Sequence, residues 1–98
     1  MSDVNFEWDP KKASTNIKKH GVSFEEAQTV FFDSYARLIP DPDSSFGEER
    51  FIILGQSNDF KTLVVCHCYR EPDDNIRIIS ARKADKYERK QYEECRYA

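Results

Sequence analysis

The sequence lacks a hydrophobic run long enough to cross a membrane. Although 39% of its 98 residues are hydrophobic, no apolar segment approaches the ~20 residues of a transmembrane helix. Residues 1–10 also lack the apolar core of a signal peptide. We therefore expect a soluble, cytoplasmic protein. A chain of this length has room for one hydrophobic core, so residues 1–98 are predicted to form a single domain.

Cysteines are few, and their spacing suits neither a disulfide framework nor a zinc site. There are three, Cys66, Cys68 and Cys95, and an odd number without paired spacing argues against a disulfide-stapled secreted domain. In the segment "CHC", residues 66–68, alternation along a strand places His67 opposite the two thiols. Groups on opposite faces are poorly arranged to hold one ion. We therefore predict reduced cysteines and no metal site.

Motifs of the common phosphate-handling and nucleophilic enzymes are also missing. The sequence has no glycine-rich phosphate loop and no serine in a nucleophile elbow. Clustered carboxylates of the kind that bind Mg²⁺ occur only in two short segments, "DPD" at 41–43 and "PDD" at 72–74. Any phosphodiester cleavage is therefore predicted to need no metal cofactor. RNA permits such chemistry, because its 2′-hydroxyl can attack the neighbouring phosphate when a side chain takes the proton and cations stabilise the charge.

Charge is present in both signs, but it is unevenly distributed. The net charge is −3. Residues 1–20 carry four lysines against three acids, residues 21–75 carry four basic groups against eleven acids, and residues 76–98 carry seven against four. Basic ends around an acidic middle favour a local site for an anionic ligand on an otherwise repulsive molecule.

Two helices are predicted near the N-terminus. Asp9 caps the first, Pro10 occupies its first position, and Gly21 ends it after about residue 20. At about 100° per residue, four lysines fall within an arc of about 120° on the side away from the packing residues; they are Lys11, Lys12, Lys18 and Lys19. A capping box from Ser23 to Glu26 opens the second helix, which is predicted to reach about residue 33.

The remainder of the sequence alternates as strands and then returns to a helix. Strands are predicted at 6–8, 35–39, 50–55, 61–70 and 75–81, followed by a helix at about 83–97. Short connections between the last three strands imply an antiparallel meander. The predicted fold is α+β, with two N-terminal helices, an antiparallel sheet of about four strands and a C-terminal helix. The last helix has a narrow stripe for packing, formed by Ala84, Tyr87, Gln91 and Cys95.

Arginines on the predicted strands allow two interpretations. The residues concerned are Arg50, Arg70, Arg77 and Arg82. A buried guanidinium needs a partner, so each could form an ion pair with an acid such as Glu49 or Glu71. Alternatively, the planar guanidinium groups form a phosphate-binding cluster. Strict alternation places Arg77 and Arg82 on opposite faces of their strand.

The two histidines and the first-helix lysines also have a structural and a functional interpretation. His67 shares its strand face with Leu63 and Val65, so it is either a buried structural histidine or a group for proton transfer. His20, at a helix C-terminus, could simply interact with the helix dipole. The lysine face is either solvated surface or a nucleic-acid contact. Tyr87 and Tyr92 could stack on bases, although Tyr87 is predicted to be in the core.

Four blocks of the sequence together resemble the BrnT family, whose members are toxins of type II toxin–antitoxin systems. The blocks are "FEWDPKKASTNIKKHGVSFEEAQTVF" (6–31), "ERFIILG" (49–55), "LVVCHCYRE" (63–71) and "IRIISARKADKYERKQYEE" (76–94). The resemblance implies a small α+β ribonuclease fold similar to RelE-type toxins, with no cofactor. It also implies a cognate antitoxin, BrnA, which neutralises the toxin, binds operator DNA itself and represses the operon together with the toxin.

The resemblance also suggests which residues act on RNA. The proposed catalytic set is His67 for proton transfer and, for phosphate, Arg50, Arg70, Arg77 and Arg82. The proposed RNA-binding set is Lys12, Lys19 and His20. A non-catalytic module, in which the same basic groups hold RNA or an acidic protein without cutting, is the alternative. Arginines in an open groove with His67 favour the first, and arginines locked in ion pairs favour the second.

Overall fold

The computed structural model describes residues 5–41, 49–70 and 75–96, with the side chains of residues 95 and 96 excluded. Its elements in chain order are β1 (Asn5–Glu7), α1 (Pro10–His20), α2 (Phe24–Thr29), a 3₁₀ helix (Val30–Phe32), β2 (Arg37–Pro40), β3 (Phe51–Gln56), β4 (Thr62–Arg70), β5 (Asn75–Lys83) and α3 (Lys86–Arg96). The predicted acidic loop at 42–48, the predicted turn at 71–74 and the side chain of Cys95 lie outside these residues.

The ends of α1 and α2 follow the local signals in the sequence. The Asp9 carboxylate accepts a hydrogen bond from the Lys11 N–H at 2.9 Å, which satisfies a free donor at the start of α1. Gly21 adopts a left-handed conformation, with φ of 70°, and its N–H donates to the Ile17 carbonyl at 2.8 Å. Ser23 accepts from the Glu26 N–H at 3.0 Å. The second helix is shorter than predicted, because its α-helical turns end at Thr29 and continue as 3₁₀.

The sheet has one more strand than the predicted meander. Among the described residues five strands pair in the order β1-β5-β4-β3-β2. β2 to β5 form the antiparallel meander, but β1 pairs in parallel with the start of β5, with Phe6 opposite Ile76. The prediction of an antiparallel sheet of about four strands was therefore incomplete. The parallel pair joins residues about 70 positions apart, and no local signal specifies such a contact.

A bulge in β5 changes which side chains share a face. Cys66 lies opposite Ser80, whereas His67 lies opposite Ile78, so Ile79 is an extra residue on β5. One extra residue reverses the alternation beyond it. Arg77 and Arg82 therefore face the same side of the sheet, and the prediction that they face opposite sides was wrong.

The hydrophobic core lies mainly between the sheet and the N-terminal helices. Its buried residues include Phe24, Leu63, Val65 and Ile78. Gly55 allows close packing here, because a Cβ at this position would lie 2.9 Å from both the Ala36 Cβ and the Val30 Cγ1. These contacts place α2 on one side of the sheet, and α1, from which Ala13 packs against the same cluster, lies beside β5.

A smaller cluster holds α3 against the opposite side of the sheet. Leu54, Val64, Ala84 and Tyr92 are buried together there. The predicted packing of Tyr87 was wrong, because Tyr87 is 70% exposed and Tyr92 is 2% exposed. β5 extends to Lys83 and α3 starts at Lys86, so Ala84 precedes the helix. Counting the helical period from Ala84 therefore selected the wrong face.

Candidate functional site

A cavity of about 280 Å³ lies between α1 and the bulged part of β5. We call it the α1–β5 pocket. Its walls are formed by Lys11, Lys12, Thr15, Asn16, Lys19, His20, Ile79 and Ser80. The helical spacing of the α1 residues explains this grouping, because positions three, four and seven or eight apart lie on one face of a helix. β1 pairs with β5 only as far as Arg77, so Ser80 lies beyond the end of β1.

The ionisable side chains that the structure describes in the lining of the α1–β5 pocket are all basic. They are three lysines and one histidine, and no carboxylate is among these described lining residues. Within the part of the chain that the structure describes, none of these lysines forms an ion pair. Ser80 is exposed and adds a hydroxyl at the strand wall. Ammonium groups without acidic partners attract anions, and several converging on one cavity suit a phosphate group.

Asn16 joins the two walls of the pocket. It is 5% exposed, and its amide nitrogen donates to the Ala81 and Val22 carbonyl oxygens, each at 2.8 Å. Its carbonyl oxygen accepts from the Ala81 N–H at 3.1 Å. The buried amide therefore binds the backbone of β5 in the way that a neighbouring strand would.

His67 lies apart from this pocket and apart from the arginines. It is fully buried, on the side of the sheet that faces the N-terminal helices. Its Nδ1 is 3.3 Å from the Val65 carbonyl oxygen, which can only accept, so Nδ1 carries the proton. Burial lowers the pKa of His67 from 6.5 to about 4. In this position the imidazole is neutral and packs against the rings of Phe31, Phe51 and Tyr69.

Arg77 and Arg82 are bound to carboxylates. Arg77 donates to Glu7 at 3.0 Å, which ties β5 to β1. Arg82 donates through both terminal nitrogens to Glu88, at 2.8 and 2.9 Å, which ties β5 to α3. The two arginines are five residues apart, or about 16 Å along the strand at about 3.3 Å per residue, which is too far for them to hold one phosphate.

Arg50 and Arg70 complete the arginine face on the α3 side of the sheet. Arg50 is half-buried just before β3, and its carbonyl accepts from the Asp41 N–H at 2.9 Å. Arg70 is exposed at the end of β4 and forms no ion pair with any described residue. The neighbouring Cys66 is no nucleophile, because burial first, and then its hydrogen bond to Asp41, raise its pKa to about 11.

The structure thus brings together one predicted set and separates the other. Lys12, Lys19 and His20, predicted to bind RNA, line one pocket. His67 and the four arginines occupy opposite sides of the sheet. Lys11 and Thr15 were absent from the predicted set although they line the pocket. For Lys11, the four-lysine arc on α1 was the available signal.

A second cavity, of about 490 Å³, is larger but has a different character. Its lining includes Phe32, Tyr35, Gln56 and one charged residue, Asp33. Asp33 accepts hydrogen bonds from the Gln56 N–H at 2.8 Å and from the Tyr92 hydroxyl at 2.5 Å. A carboxylate repels phosphate, so this cavity is a poorer site for a nucleic-acid backbone than the α1–β5 pocket.

A family model described as "Ribonuclease toxin, BrnT, of type II toxin-antitoxin system" matches residues 8–88. The chain belongs to the BrnT family. The match includes α1, β5 and every residue of the α1–β5 pocket. Membership of a type II toxin–antitoxin family also implies an antitoxin partner.

A solved BrnT structure has the same fold. The crystal structure of the ribonuclease toxin BrnT from Brucella abortus aligns with a TM-score of 0.67 and 23% sequence identity, over 86% of this chain and all of that one. At this identity the likeness establishes the fold. No curated protein matches the chain.

Two further features of this BrnT-family chain concern its surroundings and its ligands. None of the described helices is both long and apolar enough to span a membrane. Residues 5–41, 49–70 and 75–96 contain no group of three or more His, Cys, Asp or Glu side chains arranged to hold a metal ion.

Proposed function

We propose that this BrnT-family toxin is an endoribonuclease that cuts RNA in the α1–β5 pocket without a metal cofactor. The main support is the convergence of three lysines and His20 on one cavity, where no residue of the described lining is a carboxylate. Ammonium groups attract phosphate and repel a divalent cation, so the same groups that bind the substrate would disfavour a metal ion. The lysines themselves supply the positive charge that cleavage requires.

In the proposed reaction the RNA supplies its own nucleophile. His20 takes the proton of the ribose 2′-hydroxyl, and the 2′-oxygen forms a bond to the adjacent phosphorus. Lys12 and Lys19 stabilise the extra negative charge on the phosphate oxygens. The bond from phosphorus to the 5′-oxygen then breaks, and that oxygen takes a proton from a lysine ammonium or from water. The products are a 2′,3′-cyclic phosphate and a 5′-hydroxyl end.

The other predicted catalytic residues remain predictions with less geometric support. Arg77 and Arg82 are bound to Glu7 and Glu88, and His67 is buried away from them. Their positions favour structural roles, whereas Arg70 is exposed and could contact an extended RNA strand. Arginines held in ion pairs were the observation expected for a non-catalytic binding module. Binding of RNA or of an acidic protein without cleavage is therefore our second candidate function.

We further propose that a BrnA-like antitoxin neutralises the toxin in the cytoplasm by covering this pocket. Lysines without acidic partners attract carboxylates of a protein as well as phosphates of RNA, so an acidic antitoxin segment would compete with the substrate. The toxin and antitoxin would form a hetero-oligomer that reaches operator DNA through the antitoxin and represses their operon.

Cleavage of a labelled single-stranded RNA in excess EDTA tests the proposal, with and without ribosomes. His20→Ala should lower the rate by about 100-fold or more, as expected for loss of a general base. Lys12→Ala and Lys19→Ala should each lower it by about ten-fold. Lys18→Ala is the matched control, because Lys18 is an exposed lysine of the same helix that does not line the pocket; its rate should change by less than about two-fold.

Each alternative gives a different result in this experiment. Cleavage that requires added Mg²⁺ would contradict metal independence. An equal loss in Lys18→Ala and Lys19→Ala would show that general charge matters and the pocket does not. Tight RNA binding by folded protein without any cleavage, with or without ribosomes, would establish the binding module instead.

A further inference from the structure

Helix α1 is attached to the protein in an unusual way for an amphipathic helix. Asn16 is its one buried residue, and Ile17 is 49% exposed. Ala13 is half-buried against the core cluster. Apolar packing therefore contributes little to the position of α1, although this helix supplies six of the eight residues that line the α1–β5 pocket.

The Asn16 amide supplies the missing attachment through directed hydrogen bonds. With Ala81 it makes both bonds of a strand pair, at 2.8 and 3.1 Å, beyond the point where β1 stops pairing with β5. The second amide proton reaches the Val22 carbonyl at 2.8 Å. Hydrogen bonds weaken steeply when they are bent or stretched, so three of them fix both the rotation of α1 and its displacement along β5. Apolar contacts alone have no such directionality and would allow α1 to slide along β5.

The attachment point lies at the middle of the pocket walls. Lys12, Lys19 and His20 are four positions before, three after and four after Asn16 on α1, so they share its side of the helix. On the opposite wall, Ser80 immediately precedes Ala81. Any tilt or rotation of α1 at Asn16 would therefore move the basic groups relative to the strand wall.

We propose that Asn16 is a positioning residue of the ribonuclease site. It holds the basic side chains of α1 at a fixed distance from β5, and it acts through them without touching the reacting phosphate. The proposal rests on the proposed function of the pocket. The buried amide of Asn16 would then affect the rate of RNA cleavage as well as the stability of the fold.

Two variants separate positioning from simple stabilisation. Asn16→Ala removes the amide, and Asn16→Gln keeps it but adds one methylene, which displaces it. At a temperature where circular dichroism shows full folding, both should lower kcat by about ten-fold or more, and KM should rise because the displaced basic groups also bind phosphate less tightly. Tyr92→Phe is the control, since it removes a buried hydrogen bond to Asp33 on the α3 side of the sheet; it should lower the melting temperature and leave kcat within about two-fold.

A titration with inorganic phosphate, followed by NMR, gives a readout that does not depend on cleavage. In the wild-type protein, phosphate should shift the amide signals of α1 and of residues 79–80 at one common dissociation constant. In Asn16→Gln the α1 signals should respond at about ten-fold higher phosphate concentration, and the two sets should no longer agree. In Tyr92→Phe they should still agree.

The outcomes distinguish this inference from the proposed function. Unchanged kcat and unchanged phosphate affinity in folded Asn16 variants would overturn the positioning role while leaving the ribonuclease site intact. Failure of both variants to fold at 10 °C would also overturn it, since the amide would then be a folding element only. Phosphate shifts that are coupled in a wild-type protein that cuts no RNA, and uncoupled in Asn16→Gln, would refute the ribonuclease function and leave Asn16 a positioning role in an anion-binding pocket only.

Discussion

His67 is a buried histidine that the fold keeps neutral. It is enclosed by Phe31, Phe51 and Tyr69, and no ion pair of His67 with a carboxylate occurs within the described ranges of the chain. Desolvation disfavours the charged imidazolium, which explains why burial lowers its pKa to about 4. Protonation of His67 should therefore oppose folding.

This residue should make the stability of the protein fall in mild acid. Between about pH 6.5 and pH 4 the unfolded chain binds a proton at His67 and the folded chain does not. Stability therefore decreases as pH falls through this window, by roughly 3 kcal/mol in total. His67→Phe should remove this contribution, so that its free energy of unfolding varies less between pH 7 and pH 4.5. Urea unfolding of both proteins at several pH values measures the difference, and identical pH dependence would contradict it.

The same variant tests the role of His67 in cleavage. If His67 is structural, folded His67→Phe should still cut RNA. If His67 transfers a proton, the same variant should lower the cleavage rate by about 100-fold or more. His20→Ala provides the comparison on the pocket side. The two histidines therefore have different expected effects on cleavage: His20→Ala should lose activity, and folded His67→Phe should keep it.

At the scale of elements, α3 depends on one carboxylate for its start. Glu88 accepts from the Asp85 N–H at 2.9 Å, and Asp85 accepts from the Glu88 N–H at 2.7 Å, which is a reciprocal capping box. Glu88 also binds Arg82 through both oxygens. The hydrogen bond from Arg82 is the main reason that the pKa of Glu88 is lowered.

Loss of this carboxylate should loosen α3. Glu88→Ala should cost about 1–2 kcal/mol of unfolding free energy, since the cap contributes about 1 kcal/mol and the half-exposed ion pair somewhat less. Because the folded-state pKa of Glu88 is lowered, the difference should be full at neutral pH and shrink as the pH falls through the Glu88 titration. Glu94→Ala, on the exposed surface of the same helix, should change stability by less than about 0.5 kcal/mol. Equal effects of the two variants in urea unfolding would contradict this account.

Elements with local signals were predictable, and contacts between distant segments were not. Asp9 and Gly21 fixed the two ends of α1, and Ser23 fixed the start of α2, through their own backbone neighbours. The parallel pairing of β1 and the bulge at Ile79 depend on long-range packing, which single-sequence periodicity does not contain. The bulge determines which face of the sheet Arg77 and Arg82 share, and it also forms the strand wall of the pocket. The candidate site was therefore predictable only on its helical wall, where Lys12, Lys19 and His20 follow the 3.6-residue period.

At the scale of the whole molecule, the local charge of the surface differs from the net charge. The chain has a net charge of −3, although residues 1–20 carry four lysines against three acids. The acidic middle of the chain, residues 21–75, repels a polyanion, so RNA should approach productively only at the basic surface. Association should consequently be weak away from the α1–β5 pocket and should depend on few phosphate contacts.

The salt dependence of RNA binding measures that number of contacts. For single strands, log K falls with log salt with a slope of about −0.7 per neutralised phosphate, so three pocket lysines predict a slope of about −2. Lys19→Ala should reduce the slope by about 0.7, whereas Lys18→Ala should leave it unchanged. A 2′-deoxy RNA analogue, which cannot be cut by the proposed route, allows the titration at equilibrium. A slope much steeper than −2, or equal effects of the two lysines, would mean that RNA spreads over a wider basic surface that includes α3.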